Sequence, residues 1–281
     1  MGRSETIEQF LATGEHGDAF DGWEGDAAAR AAQGRRTLGR ILRRIVAWRA
    51  SHAPLAVGAP PTDVAARTEA RIAPMLTGLF GPARAARLAP ALALRVEVVD
   101  PERFDGGCQD LPLHAQWALA NMLLDAMGAP PLSDTAPQLD GFCVQGRAWV
   151  LPRALTAEDP RVDVIVHEVA HLLHELTPAE LLPGTGADAE RPLVRVPLTQ
   201  RETWAYGCEI WAWSSRGAPA GPTLAARVRQ AASGRAHEDA RVDAPRLRRV
   251  LEEAVANPDA GWQHLVRGVD AELFEGALAP R

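Results

Sequence analysis

The spacing of apolar residues predicts that most of this chain is helical. Between residues 27 and 50, apolar side chains recur every three or four positions, as in a helix that buries one face. The same spacing, with helix-start signals, predicts further helices at 62–79, 82–92, 112–127, 159–176 and 199–215. Two or three more are expected towards residue 278. The glycine-rich first 25 residues are expected to be irregular, and the proline-rich residues 53–61 to form a linker.

Three short segments show the pattern of β-strands. Residues 94–99 alternate between apolar and polar side chains and are rich in valine. Residues 141–144 and 147–151 are two further candidates, on either side of Gln145-Gly146. A small sheet among many helices predicts an α+β fold that is mostly helical.

Composition and charge exclude several classes of protein. The chain has 281 residues, enough for a large core, and its hydrophobic fraction of 47% excludes wholesale disorder. A formal net charge of −6 argues against a dedicated nucleic-acid-binding protein, which usually has a basic surface. All 30 basic residues are arginine, which excludes Schiff-base lysines and phosphate-loop lysines.

The chain shows no sign of a disulfide scaffold or of membrane insertion. Cys108, Cys143 and Cys208 are few and scattered, and no two have Cys-x-x-Cys spacing. No run reaches about 18 apolar residues, so we expect no transmembrane segment. Residues 1–12 carry acids where a signal peptide has an apolar stretch, so we expect a cytoplasmic protein. The oligomeric state stays open.

The predicted helix at 27–50 has an arginine-rich face. Its members are Arg35, Arg36, Arg40, Arg43 and Arg44. Such a face can bind a partner or a membrane surface. It is more often the solvated side of a helix that packs through its apolar side, and we favour that interpretation.

Residues 159–176 contain the pattern with the clearest chemical meaning. Asp159-Pro160 is a strong helix start. His167 and His171 are four residues apart, so both imidazoles project from one face and can occupy two corners of a tetrahedral zinc site. Glu168 lies on the flank of that face, where it can reach a zinc-bound water without being a ligand. This is the His-Glu-x-x-His pattern of zinc-dependent proteases.

The same helix is apolar almost all round, and we expect it to be buried. Its apolar members are Val162, Ile165, Val166, Val169, Leu172, Leu173 and Leu176. Histidines and a glutamate in a buried helix need partners, because polar groups are costly to bury alone. A metal ion supplies such a partner. The alternative is a core helix whose histidines are hydrogen-bonded within the protein.

A third zinc ligand is required, and two glutamates are candidates. The longer motif that ends in Gly-x-x-His is absent, because His174 and Thr177 occupy those two positions. Glu202 and Glu209 are two turns apart in a later helix and share a face. Thr199 and Glu202 also fit a capping box, which would leave Glu209 as the ligand. Whichever glutamate does not bind the metal is expected to orient a histidine.

Two other polar residues share these faces. Tyr206, the only tyrosine, lies between the two glutamates. It is either a hydrogen-bond donor to a developing oxyanion or a half-buried structural residue. His174 lies two turns after His167 and is a candidate substrate contact, orienting residue or alternative ligand. A structural role at the edge of the site is favoured for it.

Residues 141–215 resemble the gluzincin group of zinc metallopeptidases. In that group the third ligand commonly stands in Glu-x-aromatic-Ala near the start of a helix. Glu202-Thr203-Trp204-Ala205 matches this pattern, 31 residues after His171. The resemblance implies a zincin-like fold with the small sheet packed on the motif helix. It also implies a zinc site formed by His167, His171 and Glu202.

The resemblance also concerns the strand that precedes the motif helix. In gluzincins a strand in the place of residues 147–151 often borders the substrate cleft and pairs with an extended peptide along an exposed edge. Trp149 would then lie at the rim of that cleft. The Gly-x-Met-x-Asn-type rim of the family's aminopeptidases is absent, which argues against an exopeptidase that grips the substrate amino terminus.

The residues together predict a metallopeptidase with one Zn²⁺ and a peptide or protein substrate. Glu168 is the expected general base, and Tyr206 a candidate for steadying the oxyanion. We expect an N-terminal segment with the arginine-rich helix (1–60), a zincin-like catalytic core (61–216) and a C-terminal helical part (217–281). The alternative is a zinc-binding regulatory or partner-binding protein without proteolytic activity. Structural zinc, however, needs no general base and usually takes four ligands, mostly thiolates.

Overall fold

The computed structural model describes residues 2–17, 20–55, 57, 61–156, 163–176, 180, 196–218, 220–234, 236 and 239–277, with side chains as far as residue 269. Within them, the helices are α1 (Arg3–Thr13), α2 (Ala27–Ala50), α3 (Val64–Phe80), α4 (Pro82–Ala93), α5 (Pro101–Gly107), α6 (Leu113–Ala126), α7 (Pro152–Thr156), α8 (Val164–Glu175), α9 (Leu198–Ser215), α10 (Pro222–Ala232), α11 (Ala244–Ala256) and α12 (Gly261–Ala277). The strands are β1 (Val96–Val98), β2 (Gly141–Val144) and β3 (Arg147–Val150). The prediction of a mostly helical α+β fold with a small sheet is confirmed.

The chain folds into two units, each assembled from separate stretches. Unit 1 contains residues 1–61, 98–145 and 149–153, and unit 2 contains residues 62–97, 146–148 and 154–281. From the sequence, three consecutive segments are predicted instead. Local patterns cannot show which distant stretches pack together, and this packing decides the composition of a unit.

In unit 1, α2 packs against α6, and α1 packs against α2. The residues predicted to be irregular thus include a helix, which has a tertiary cause. Phe10 is fully buried, and Trp117 Nε1 donates to the carbonyl of Leu11 at 3.0 Å. A helix this short is marginal alone and depends on such packing. The core of unit 1 includes Leu38, Leu42, Leu119, Leu123 and Leu124.

The arginine-rich face of α2 lies in solvent. Leu38, Leu42 and Val46 of this helix are buried. The exposed arginines are Arg35, Arg36, Arg40 and Arg44, and Arg43 is half-buried. This is the arrangement of a helix that packs through its apolar side and leaves its charges in water.

The three strands form one sheet in the order β1-β3-β2. Ala148 N–H donates to the carbonyl of Arg95 at 2.9 Å, and Val99 N–H donates to that of Val150 at 2.8 Å. Bonds in this sequence make β1 and β3 parallel. β2 and β3 are joined at residues 145–146, whose φ angles of 51° and 67° suit a tight hairpin turn.

β3 occupies the middle of the sheet and has a neighbour on each edge. This differs from the predicted pairing of residues 147–151 with substrate along an exposed edge. Trp149, predicted at the rim of a cleft, is only 4% exposed and belongs to the core of unit 1. An alternating pattern identifies a strand but does not show whether the strand lies at an edge.

In unit 2, α8 lies against α9, which also contacts α10, α11 and α12. Both α8 and α9 are buried on nearly every side. Trp204 Nε1 of α9 donates to the carbonyl of Ala170 in α8 at 3.2 Å and joins the two helices. The predicted start of the motif helix at Asp159-Pro160 lies outside the described residues. Among the described helices, none combines the length and the hydropathy of a membrane-spanning segment.

The contact between α3 and α12 leaves no room for a side chain at Gly78. A Cβ added there would overlap Cδ1 and Nε1 of Trp262. In an exposed helix, alanine is about 1 kcal/mol more favourable than glycine. Here we expect Gly78→Ala to lower the free energy of unfolding by about 1–3 kcal/mol, the usual cost of overpacking. Urea unfolding measures this.

Gly106→Ala in α5 is the control for this prediction, because a Cβ there meets no described atom within 4 Å. It should leave stability unchanged or raise it slightly. An equal loss of stability in both variants would show that the close contact with Trp262 is not the cause.

Candidate metal centre

Two histidines of α8 bring their ring nitrogens together. The Nε2 atoms of His167 and His171, one turn apart, lie 3.2 Å from each other. The helix begins after Asp163, whose Oδ1 accepts a hydrogen bond from the N–H of Val166 at 3.3 Å and lies 3.4 Å from Arg71 Nη1. Burial raises the pKa of Asp163, and Arg71 partly offsets this. The capped start and the burial of α8 hold the two rings in place.

Glu202 joins these rings from the neighbouring helix α9. Its Oε2 atom lies 3.5 Å from His167 Nε2 and 3.8 Å from His171 Nε2. The alternative capping box is not formed, because α9 begins before Thr199 and its cap has no side-chain hydrogen bond. The structure thus brings together the three residues that are predicted from the sequence as ligands.

The separations of the three candidate ligand atoms are close to those of a tetrahedral zinc site. They all lie within 4.8 Å of one another. Zinc bonds of about 2.0–2.2 Å place the ligand atoms of a tetrahedral site about 3.3–3.6 Å apart. The separations here are 3.2, 3.5 and 3.8 Å, and their mean of about 3.5 Å lies within that range. Glu202 Oε2 is buried and has no hydrogen-bond partner among the described residues, which suits a metal-binding atom.

The charges around the two histidines shift their pKa values in opposite directions. Burial alone lowers the pKa of His167, but the carboxylates of Glu202 and Glu209, with a further contribution from Glu168, raise that pKa above its ordinary range. Burial and the positive charge of His167 lower the pKa of His171. The carboxylates therefore stabilise positive charge at His167. A divalent cation between the rings would replace that proton.

Glu209 lies on the other side of the His167 ring. Its Oε2 atom is 3.2 Å from His167 Nδ1, whereas Nε2 of the same ring faces Glu202 and His171. A histidine that binds metal through one nitrogen usually donates its other N–H to a carboxylate, which sets the tautomer and the ring orientation. This geometry suits Glu209 for orienting His167 and Glu202 for binding the metal.

Glu168 supplies a buried carboxylate beside the cluster of His167, His171 and Glu202. It follows His167 in α8, and its side chain is 6% exposed. Its negative charge raises the pKa of His167, so the two groups interact, yet it is not one of the three ligand residues. A carboxylate next to a metal site but outside the ligand set is suited to proton transfer.

Tyr206 contacts the cluster, and His174 packs against a tryptophan. The Tyr206 ring meets the His167 ring edge-on, with centroids 4.7 Å apart, and its hydroxyl donates to Asp239 Oδ2 at 3.3 Å. The His174 ring is buried beside that of Trp204, with centroids 5.7 Å apart. This environment suits a structural role for His174.

Asp239 and Arg241 approach the cluster although no sequence motif contains them. Arg241 Nη1 lies 3.2 Å from Glu202 Oε1. Asp239 forms an ion pair with Arg241 and accepts a hydrogen bond from the hydroxyl of Tyr206. No periodicity relates these two residues to α8 or α9, so only the fold reveals them.

Comparisons of the chain with protein-family models, with curated proteins and with solved structures found no match.

Proposed function

We propose that this protein is a zinc-dependent metallopeptidase with a zincin-like catalytic core. The observation that carries the proposal is the cluster of His167, His171 and Glu202, whose ligand atoms have zinc-site spacing. Two imidazoles and one carboxylate are a typical donor set of catalytic zinc sites, which keep a fourth position open. The buried carboxylate of Glu168 beside this cluster supports a hydrolytic role.

The side chains of the cluster and two neighbouring carboxylates each have one role in the proposed hydrolysis. His167, His171 and Glu202 would hold the zinc ion, which supplies Lewis acidity that lowers the pKa of water and polarises a peptide carbonyl. Glu168 accepts a proton from the attacking water and then delivers it to the leaving amine. Glu209 keeps His167 in the tautomer that presents Nε2 to the metal.

During hydrolysis, negative charge develops on the oxygen of the peptide carbonyl, and a hydrogen-bond donor is needed to stabilise it. Tyr206 is the proposed donor, because its ring contacts His167. Its hydroxyl has a single proton, which is directed at Asp239 in this structure. To serve the oxyanion, the hydroxyl must turn away from Asp239.

The composition of the cluster argues against a purely structural zinc site. Structural sites usually take four protein ligands, most often including thiolates. No cysteine belongs to the cluster within the described part of the chain, and its ligand set has three members. An open coordination position beside a proton acceptor favours catalysis.

Zinc content and zinc-dependent cleavage test the proposal. We expect about one zinc ion per chain by elemental mass spectrometry, and cleavage of a peptide library followed by mass spectrometry. Chelation should abolish the cleavage and lower the Tm, since a ligand that binds only the folded state adds about 2.7 kcal/mol at a hundredfold excess over its Kd. Zinc added back should restore both properties.

Two other outcomes would change the proposal in different ways. A protein that takes up no zinc after dialysis against the metal has no metal centre, and the enzymatic proposal fails with it. If the protein binds zinc and zinc raises its Tm, but no member of the library is cleaved, the result supports the alternative of a regulatory zinc-binding protein.

A further inference from the structure

Residues 239–243, which lead into α11, form a loop that is anchored beside the cluster. The backbone N–H of Arg241 donates to Asp239 Oδ1 at 2.9 Å, which closes a tight local turn. The backbone N–H of Asp243 donates to Thr203 Oγ1 at 2.9 Å, and the Asp243 side chain caps α11. Thr203 belongs to α9, so the loop is attached to the helix that supplies the carboxylate ligand.

The guanidinium of Arg241 links this loop to Glu202. Nε and Nη2 donate to the two carboxylate oxygens of Asp239 at 3.0 and 2.7 Å. Nη1 lies 3.2 Å from Glu202 Oε1. The bidentate pair with Asp239 sets the orientation of the planar group, and this orientation directs Nη1 towards Glu202.

The two oxygens of Glu202 therefore have different surroundings. Oε1 faces Arg241, whereas Oε2 faces the two histidine rings and has no hydrogen-bond partner among the described residues. A carboxylate can bind a metal through one oxygen or through both. A charge-assisted contact at Oε1 favours binding through Oε2 alone, which leaves the remaining coordination position to water.

Asp239 extends the same link to Tyr206. Its Oδ2 atom accepts a hydrogen bond from the hydroxyl of Tyr206. The Tyr206 ring packs edge-on against the ring of His167. The hydrogen bond from Arg241 lowers the pKa of Asp239, so this carboxylate stays ionised and continues to accept. The loop thus acts on a ligand of α9 directly and on a ligand of α8 through Tyr206.

We propose that Arg241 and Asp239 are positioning residues of the metal centre. Arg241 restricts Glu202 to binding through one oxygen, and Asp239 holds the guanidinium of Arg241 in the orientation that does so. This inference rests on the proposed zinc site and adds two residues from outside its motifs. The Arg241 side chain is 47% exposed, so its ion pairs add little to folding stability, and the effect is expected at the metal.

Metal affinity and coordination geometry test the positioning role. We expect Arg241→Gln to weaken zinc binding about 10–100-fold, measured by competition with a chromophoric chelator. Without Arg241, Glu202 is expected to bind through both oxygens, which raises the coordination number of the metal. The visible absorption of the Co²⁺-substituted protein should then weaken, because cobalt absorbs less strongly at higher coordination number. Arg241→Lys keeps the charge but not the planar fork, and should recover part of the affinity. Asp239→Asn should show a smaller loss in the same direction.

The matched control is Arg67→Gln in α3. Arg67 pairs with Asp63 at 2.8 Å, is 45% exposed, and belongs to the same unit but not to the proposed ligand set. It should bind zinc as the parent does. Equal zinc affinity and equal cobalt spectra in Arg241→Gln and Arg67→Gln would overturn the positioning role and leave the zinc centre intact.

Two further outcomes also give a decision. If Arg241→Gln does not fold, as judged by circular dichroism of the metal-free protein, Arg241→Lys and Asp239→Asn answer the question through the same two measurements. Parent-like affinity and spectra in both would overturn the positioning role. A parent protein that binds neither zinc nor cobalt overturns the metal centre, and this inference with it.

Discussion

The Glu168→Gln variant is expected to retain zinc and to lower kcat/KM for peptide hydrolysis about 10²–10⁴-fold, the usual contribution of a positioned proton-transfer group. Glutamine has nearly the shape of glutamate, so the packing around this buried position should survive. Its amide cannot accept the proton of the attacking water. The three ligands are unchanged, so the defect should appear in turnover and not in metal content.

Glu175→Gln is the matched control for this variant, because it makes the same chemical change in the same helix. Glu175 Oε1 accepts a hydrogen bond from Arg201 Nη2 at 2.7 Å, and its Oε2 accepts one from the backbone N–H of Gly146 at 3.3 Å. These contacts lie outside the proposed ligand set, so hydrolysis should stay near the parent rate. Parent-like hydrolysis by Glu168→Gln would remove the assignment of the general base and leave the metal centre in place.

The second large effect is expected from the ligands. His171→Ala and Glu202→Ala should each lose zinc during dialysis, because two remaining ligands bind the metal far more weakly than three. Glu209→Gln should keep zinc and bind it about 10–100-fold less tightly, as is usual when a group that orients a ligand is replaced. Elemental mass spectrometry of the three variants and the parent, after the same dialysis, measures how much zinc each protein retains.

The alternative outcome identifies a different ligand. Zinc retained by Glu202→Ala and lost by Glu209→Ala would move the third ligand two turns along α9. Thermal unfolding of the metal-free proteins is the control, since a variant that does not fold also loses zinc. Glu202→Gln, which preserves the shape of the side chain, serves as the second variant if Glu202→Ala is unstable.

The pairing of His167 with His171 was predictable from the sequence because it depends on local geometry. A spacing of four residues in a helix places two side chains on one face, whatever the rest of the chain does. The burial of α8 was predictable for the same reason, since its apolar residues surround the helix. Glu168, adjacent to His167, follows from the same short pattern.

The choice between Glu202 and Glu209 depends on packing between helices. The two glutamates share a face of α9, so helical periodicity treats them alike. The contact of α9 with α8 places Glu202 at His167 Nε2 and Glu209 at His167 Nδ1. The capping-box alternative could not be dismissed from sequence either, because it depends on where α9 begins.

Other features had no local signal that could reveal them. The helix α1 depends on contacts of Phe10 and Leu11 with distant parts of unit 1, and the central position of β3 depends on pairing with strands on both sides. Asp239 and Arg241 stand in a loop whose relation to Glu202 spans more than thirty residues. Local periodicity carries no information about contacts of this kind.

The sequence by itself determined the mostly helical composition, the buried motif helix and the positions of His167, Glu168 and His171 on it. Each of these follows from interactions within a few residues, where backbone geometry sets the spacing of side chains. Only the tertiary structure decided which glutamate faces the histidine pair, which residues surround it and which strand lies inside the sheet. Those outcomes depend on burying apolar surface between stretches far apart in the chain, and this long-range packing brought Glu202 to the two histidines and Arg241 to Glu202.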